Sequence, residues 1–85
     1  MNKEEIYARI RHTLESNFEI PAERITPEAR LQEDLELDSI DAIDMAVQIQ
    51  EMTNVRVDEE ELKTLRTVND TVELVVALLA RQANN

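Results

Sequence analysis

Apolar residues recur at helical spacing in several stretches of this chain. Ile6, Ile10 and Leu14 mark one face of a first helix, predicted over Lys3–Ser16, and Tyr7 extends that face. Asn2 can cap it, with Glu5 three residues on, as in a capping box. A second helix is predicted over Ser39–Met52, ended by Thr53-Asn54. Its stripe is Ile40, Ile43 and Val47, widened by Met45, Ile49 and Met52, so its back is expected to be packed. Asp58 with Glu61 repeats the capping-box pattern and opens a short helix with Leu62 and Leu65 inside. Thr67, with Asp70 three residues on, caps the last helix, which buries Val68, Val72, Val75 or Val76, and Leu79. The tail from Gln82 to Asn85 is expected to fray. Val55 and Val57 alternate with Arg56 as a strand would. A lone strand has no partner, so the spacing predicts an extended link packing two valines.

Between the first two helices lie residues 17–38, a connection long enough to need its own pins or a job. Phe18 and Ile20 are expected to tuck into the core, and Leu31, Leu35 and Leu37 to pin the rest. Pro21 and Pro27 punctuate it, and Thr26-Pro27-Glu28 resembles the start of a short helical turn with proline at its first position. The sum is an all-α domain over residues 1–85, with its core at about 3–80. It has three main helices, one short helix and a long first connection, packed as a four-helix bundle.

Composition narrows the functions. The 85 residues suit one domain with a limited core. There is no cysteine, hence no disulfide, and a single histidine makes a protein-only zinc site improbable. His12 lies off the first stripe and reads as a surface residue. Without glycine there is no phosphate-cradling loop of the usual kind, and two aromatics, Tyr7 and Phe18, are too few to stack on bases. A net charge of −10 repels nucleic acid and anionic lipid. The N-terminus is charged and lacks a signal region, and the longest apolar run, Leu74–Ala80, is far short of a membrane span. A cytoplasmic setting is the expectation.

The charge is concentrated. Residues 31–61 hold 11 acids against one base, Arg56, whereas the remainder holds 8 of each. All of the net charge therefore lies in the segment around Ser39 and after it. A solvated acidic face is the plain explanation. Confinement to one segment favours a surface that steers basic partners.

Ser39 stands where a loop rich in carboxylates becomes an amphipathic helix, and Asp38-Ser39 has the chemistry of a helix start. As a nucleophile it lacks a base: His12 is on another helix, and neither lysine has an obvious apolar pocket. The carboxylates are numerous but exposed, with nothing to separate two pKa values for acid–base work. An EF-hand loop from Asp34 would need glycine and glutamate where Ser39 and Met45 stand. What remains is a serine that is acted upon.

Here the residues carry a resemblance. Asp38-Ser39-Ile40, with Leu31, Asp34 and Leu35 ahead and Ile43, Asp44 and Met45 behind, resembles the attachment motif of acyl carrier proteins. Val57-Asp-Glu-Glu-Glu61 and Leu65-Arg-Thr-Val68 are similar to the family's third-helix segment and the entry to its last helix. The resemblance implies a non-catalytic carrier. Ser39 would hold 4′-phosphopantetheine from coenzyme A and carry acyl or polyketide intermediates as thioesters. It also implies partners: a phosphopantetheinyl transferase, and a ketosynthase, an acyltransferase and other acyl-processing enzymes with basic patches. Asp38, Asp41, Asp44 and Glu51 would meet those patches, with Ile40 and Met45 adding apolar contact. Ile43, Val47, Leu65 and Val72 would line a space for the cargo, or be ordinary core. The expected state is a monomer.

This chain departs from the family pattern at Glu36, where glycine is common, at Ile40, where leucine is usual, and at Gln50, where glutamate is frequent. Those departures suggest a specialised pathway, somewhat like aryl-polyene-type carriers. An aminoacyl or aryl carrier, and an acidic adaptor with Ser39 as a plain cap, are the alternatives.

Overall fold

The computed structural model describes residues 2–83. Four α-helices follow one another: α1 (Lys3–Asn17), α2 (Ser39–Thr53), α3 (Glu59–Lys63) and α4 (Val68–Ala83). A 3₁₀ turn over Ala22–Arg24 interrupts the long connection. No strand occurs among the described residues. Helix α1 packs on α4, α4 on α2, and α3 on α2. Their shared core is aliphatic: Ile6, Ile10 and Leu14 from α1, Val68, Val72, Val75 and Leu78 from α4, and Met45, Ala46 and Ile49 from α2.

Each helix starts for a local reason. Asn2 Oδ1 accepts the Glu5 N–H at 2.9 Å, fixing α1. At α4 the predicted box is reciprocal: Asp70 N–H donates to Thr67 Oγ1, and Thr67 N–H donates to Asp70 Oδ2, both at 3.1 Å. The box predicted at α3 does not form. Asp58 gives no side-chain cap; its backbone carbonyl accepts the Glu61 N–H instead. The Glu61 carboxylate turns instead to Arg81 of α4, at 3.5 Å. Asn54 ends α2 in a left-handed conformation, φ 57°, which asparagine tolerates better than most residues. Gln50 Oε1 then accepts the Val57 N–H at 3.0 Å. The side chain that departs from the family pattern thus pins the link after α2, where Val57 is buried and no strand forms.

The long connection is pinned by more residues than expected. Ile20, Ile25, Ala29 and Leu35 are buried, with Phe18, Leu31 and Leu37 packed half-buried against them. Thr26-Pro27-Glu28 closes a single hydrogen-bonded turn, Ala29 N–H to Thr26 O; the helical turn lies earlier, at Ala22–Arg24. An isolated antiparallel bridge joins Arg30 to Thr67. Leu31 N–H donates to Arg66 O, Val68 N–H to Ala29 O and Asn69 N–H to Pro27 O, at 2.8–3.0 Å. These bonds fasten the connection to the start of α4 and leave residues 31–38 to reach the start of α2.

Two expectations about helix faces change. In α4, Val75 is buried and Val76 is exposed; Leu78 is fully buried while Leu79 is half-buried. In α2 the buried face is Met45, Ala46, Ile49 and Thr53. Ile40, Ile43 and Val47 stand outside, 72%, 50% and 42% exposed. Thr53 is tolerated inside because its Oγ1–H donates to Ile49 O at 2.8 Å. Helix α4 continues through Ala83, and the rest of the expected fraying tail lies outside the described residues.

Candidate functional site around Ser39

Ser39 is the first residue of α2 and is exposed. Its position is fixed by two aspartates. The Ile40 and Asp41 N–H groups both donate to Asp38 Oδ1 at 3.0 Å, and Asp38 N–H donates to Asp41 Oδ2 at 3.0 Å. This is a complete capping box with aspartate in both roles. The sequence reading identified the helix start but not the part of Asp41; the signal was an acid three residues after the cap. The box pairs the first-turn donors and leaves Ser39 exposed at the helix start.

Ser39 also lines a cavity of about 310 Å³ between the end of the connection, α2 and α3. Leu31 and Leu37 form its wall on the connection, Ala42, Ile43 and Met45 on α2, and Leu62 and Leu65 on the α3 side. Of the four residues proposed as lining, Ile43 and Leu65 belong to it. Val72 belongs to the core and Val47 to the outer face of α2. Asp38, Gln32 and Lys63 supply the polar part of the wall.

The expected partner-contact residues do not all share one face. Asp38, Ile40 and Asp44 are exposed near Ser39, and Asp41 is half-exposed. Met45 is buried at 6% and meets the cavity rather than an open surface. Its neighbours on the inner face point to the core, so it acts as a cavity floor. Glu51 lies 12 residues along α2, about 18 Å from Ser39 at 1.5 Å per residue. There it borders an open groove against α1, opposite Arg9 and His12. His12 is exposed, with Ser16 Oγ 3.4 Å from its Nε2.

Acidity around the site is partly neutralised from just outside the acidic segment. Arg30 pairs with Glu33 and, at 3.1 Å, with Asp34, whose carboxylate also accepts the Arg30 backbone N–H. The hydrogen bonds from the Arg30 side chain and backbone hold Asp34 below the usual aspartate range, and raise the Arg30 guanidinium in turn. Arg24 donates to the Asp34 carbonyl and lies 3.9 Å from Glu36. Of the acids from Asp38 to Glu61, Glu61 alone has a partner among the described ion pairs, Arg81. The field of the protein is therefore carried by α2 and the start of α3.

Ser39 is thus an exposed serine at a capped helix start, beside a largely apolar cavity. Residues 8–75 match the family model described as phosphopantetheine attachment site, and the chain belongs to that family. Its class is that of the acyl carrier proteins, and its cofactor is covalently attached 4′-phosphopantetheine. It is 51% identical to acyl carrier protein 2 of Ralstonia nicotianae over 80 residues, 94% of this chain and 99% of that one. It is 39% identical to the acyl carrier protein of Saccharopolyspora erythraea, over 98% of this chain and 87% of the other. The crystal structure of the acyl carrier protein from Thermotoga maritima superposes with a TM-score of 0.81, at 25% identity, over 95% of this chain and 94% of that one.

Proposed function

We propose that Ser39 is the attachment residue and that residues 3–80 act as one carrier domain. In this reading the chain presents acyl or polyketide intermediates to biosynthetic enzymes. The observation that carries the proposal is the Ser39 hydroxyl itself. It is exposed on a rigidly capped helix start, at the wall of an apolar cavity, and it lies within the matched residues. When bound, the cofactor supplies a terminal thiol that holds cargo as a thioester. The protein supplies position and recognition. Asp38, Asp41 and Asp44 surround the attachment corner with negative charge, which raises encounter rates with basic patches on a transferase, a ketosynthase or an acyltransferase. Ile40 and Ile43, exposed between those acids, add apolar contact. Glu51 joins a longer acidic track along α2 and serves partners that cover the whole helix. Met45 contributes from the cavity side. The proposed state is a cytoplasmic monomer.

Intact mass after incubation with coenzyme A and a broad-specificity phosphopantetheinyl transferase tests the site. Wild type should gain one phosphopantetheine, and Ser39→Ala none, with the helical circular dichroism of the two proteins unchanged. Loading of the alanine variant at another residue would overturn the assignment. Raising salt through the range where the screening length falls from about 30 to about 8 Å should slow wild-type loading. A loading rate indifferent to salt would remove the acidic corner from recognition.

A further inference from the structure

A phosphodiester on Ser39 adds negative charge to a corner that already holds Asp38 and Asp41. Helix starts usually offset such charge with free backbone N–H groups. Here most of those donors are taken. Ile40 and Asp41 N–H are bonded to Asp38 Oδ1, Asp38 N–H to Asp41 Oδ2, and Ala42 N–H to Asp38 O. Only the Ser39 N–H is left in the first turn among the described hydrogen bonds. Charge compensation from the protein would therefore come from another element. One cationic side chain lines the cavity that Ser39 lines: Lys63, in the last turn of α3.

We propose that the Lys63 ammonium group is the positioning residue for the phosphodiester at Ser39, drawing the arm towards α3 and the cavity rather than into solvent. The proposal rests on Ser39 being the attachment residue. Ammonium and phosphodiester form a charge-assisted pair across the cavity mouth, and the aliphatic stem of Lys63 lies along an apolar wall. The pair is exposed, so it is modest and sensitive to salt. It biases where the arm rests; it performs no chemistry.

The test compares melting temperatures of apo and loaded protein for wild type, Lys63→Met and Lys63→Arg, after intact mass has shown one arm on Ser39. Because each variant is its own reference, any change in the stability of the bare fold cancels. Loading should raise the melting temperature by about 2–4 °C more in wild type than in Lys63→Met at low salt. Lys63→Arg should restore the difference, and 0.5 M salt should abolish it. Amide chemical shifts of α3 should move on loading in wild type and stay in place in Lys63→Met. Equal increments in all three proteins, each fully loaded, would overturn the role of Lys63 while leaving Ser39 intact. No mass gain at Ser39 would overturn both proposals. A Lys63 effect that emerges only with a malonyl cargo, and neither with the bare arm nor with acetyl, would reassign Lys63 to the cargo carboxylate and overturn the phosphodiester pairing.

Discussion

Helices α2 and α4 start with the same device and serve different ends. At α4, Thr67 and Asp70 cap each other; at α2, Asp38 and Asp41 do. Behind the first cap the residues go inward: Val68, Thr71, Val72 and Val75 are all buried, and backbone bonds from residues 27–31 strap the helix start to the long connection. Behind the second, Met45, Ala46 and Ile49 go inward too, but a further apolar stripe, Ile40, Ile43 and Val47, faces solvent or the cavity mouth. A local cap can therefore start a helix that sinks its apolar face into the core or one that also leaves an apolar stripe outside. Tertiary burial decides which.

The sharpest way to break the comparison is to truncate one residue behind each cap. Val72→Ala removes two buried methyl groups from the shared core and should cost about 2 kcal/mol, or roughly 10 °C in melting temperature. Ile43→Ala removes more carbon but from a half-exposed site, and should stay within about 0.5 kcal/mol. It should instead slow loading by partner enzymes. Comparable destabilisation by the two variants would mean that the outer face of α2 is core after all.

Next in size are the caps themselves. Asp70 accepts N–H bonds from Arg66 and Thr67, and these hold its carboxyl below the usual aspartate range. A depressed folded pKa stabilises the fold above the unfolded value of about 3.9, and that stability is lost as pH falls through the folded pKa. Asp70→Ala should therefore cost about 1–2 kcal/mol at pH 7, and less as the medium is acidified below about pH 4. Asp38→Ala should cost about 1 kcal/mol. It should also impair loading at Ser39, whereas Asp70→Ala leaves loading unchanged. Chemical denaturation at pH 7 and pH 3, alongside mass-based loading rates, separates the two roles.

Helix α1 was legible in the sequence because it has one apolar face: Ile6, Ile10 and Leu14 admit a single orientation. Helix α2 was legible as a helix but not as to its face. Ile40, Ile43 and Val47 fit one stripe, and Met45, Ile49 and Met52 fit another, about half a turn away. Periodicity alone cannot rank two apolar stripes when one of them stays outside the core. The same limit applies to Val75 and Val76, neighbours in an apolar run. The sequence marks Ser39 by the carboxylate-rich turn and its resemblance to the family motif; the structure adds its exposed place at the start of α2 beside the cavity. The cavity wall was only half legible, because Leu31, Leu37 and Leu62 meet Ser39 through the path of the connection, which no periodicity describes. The bond from Val57 to Gln50 belongs to the same kind, a side chain closing a link over seven residues.

The smallest effect bears on the connection that delivers α2. Glu36 adopts φ 57°, a left-handed conformation that is sterically costly for a residue with a Cβ. Leu37 N–H donates back to Leu31 O there, folding the chain so that Leu37 faces the cavity and Asp38 reaches its capping position. The side chain gives little in return: it is exposed, and Arg24 lies 3.9 Å away. Glycine adopts this conformation freely but loses more entropy on folding. Glu36→Gly should thus stabilise the protein by about 0.5 kcal/mol, measured by urea denaturation with an unchanged m-value. The anchored side of the molecule offers no equivalent gain, since Val68 to Ala83 form regular helix with no positive φ. Destabilisation on this substitution would show instead that the Glu36 carboxylate, together with Arg24, is what holds the loop before Ser39 in shape.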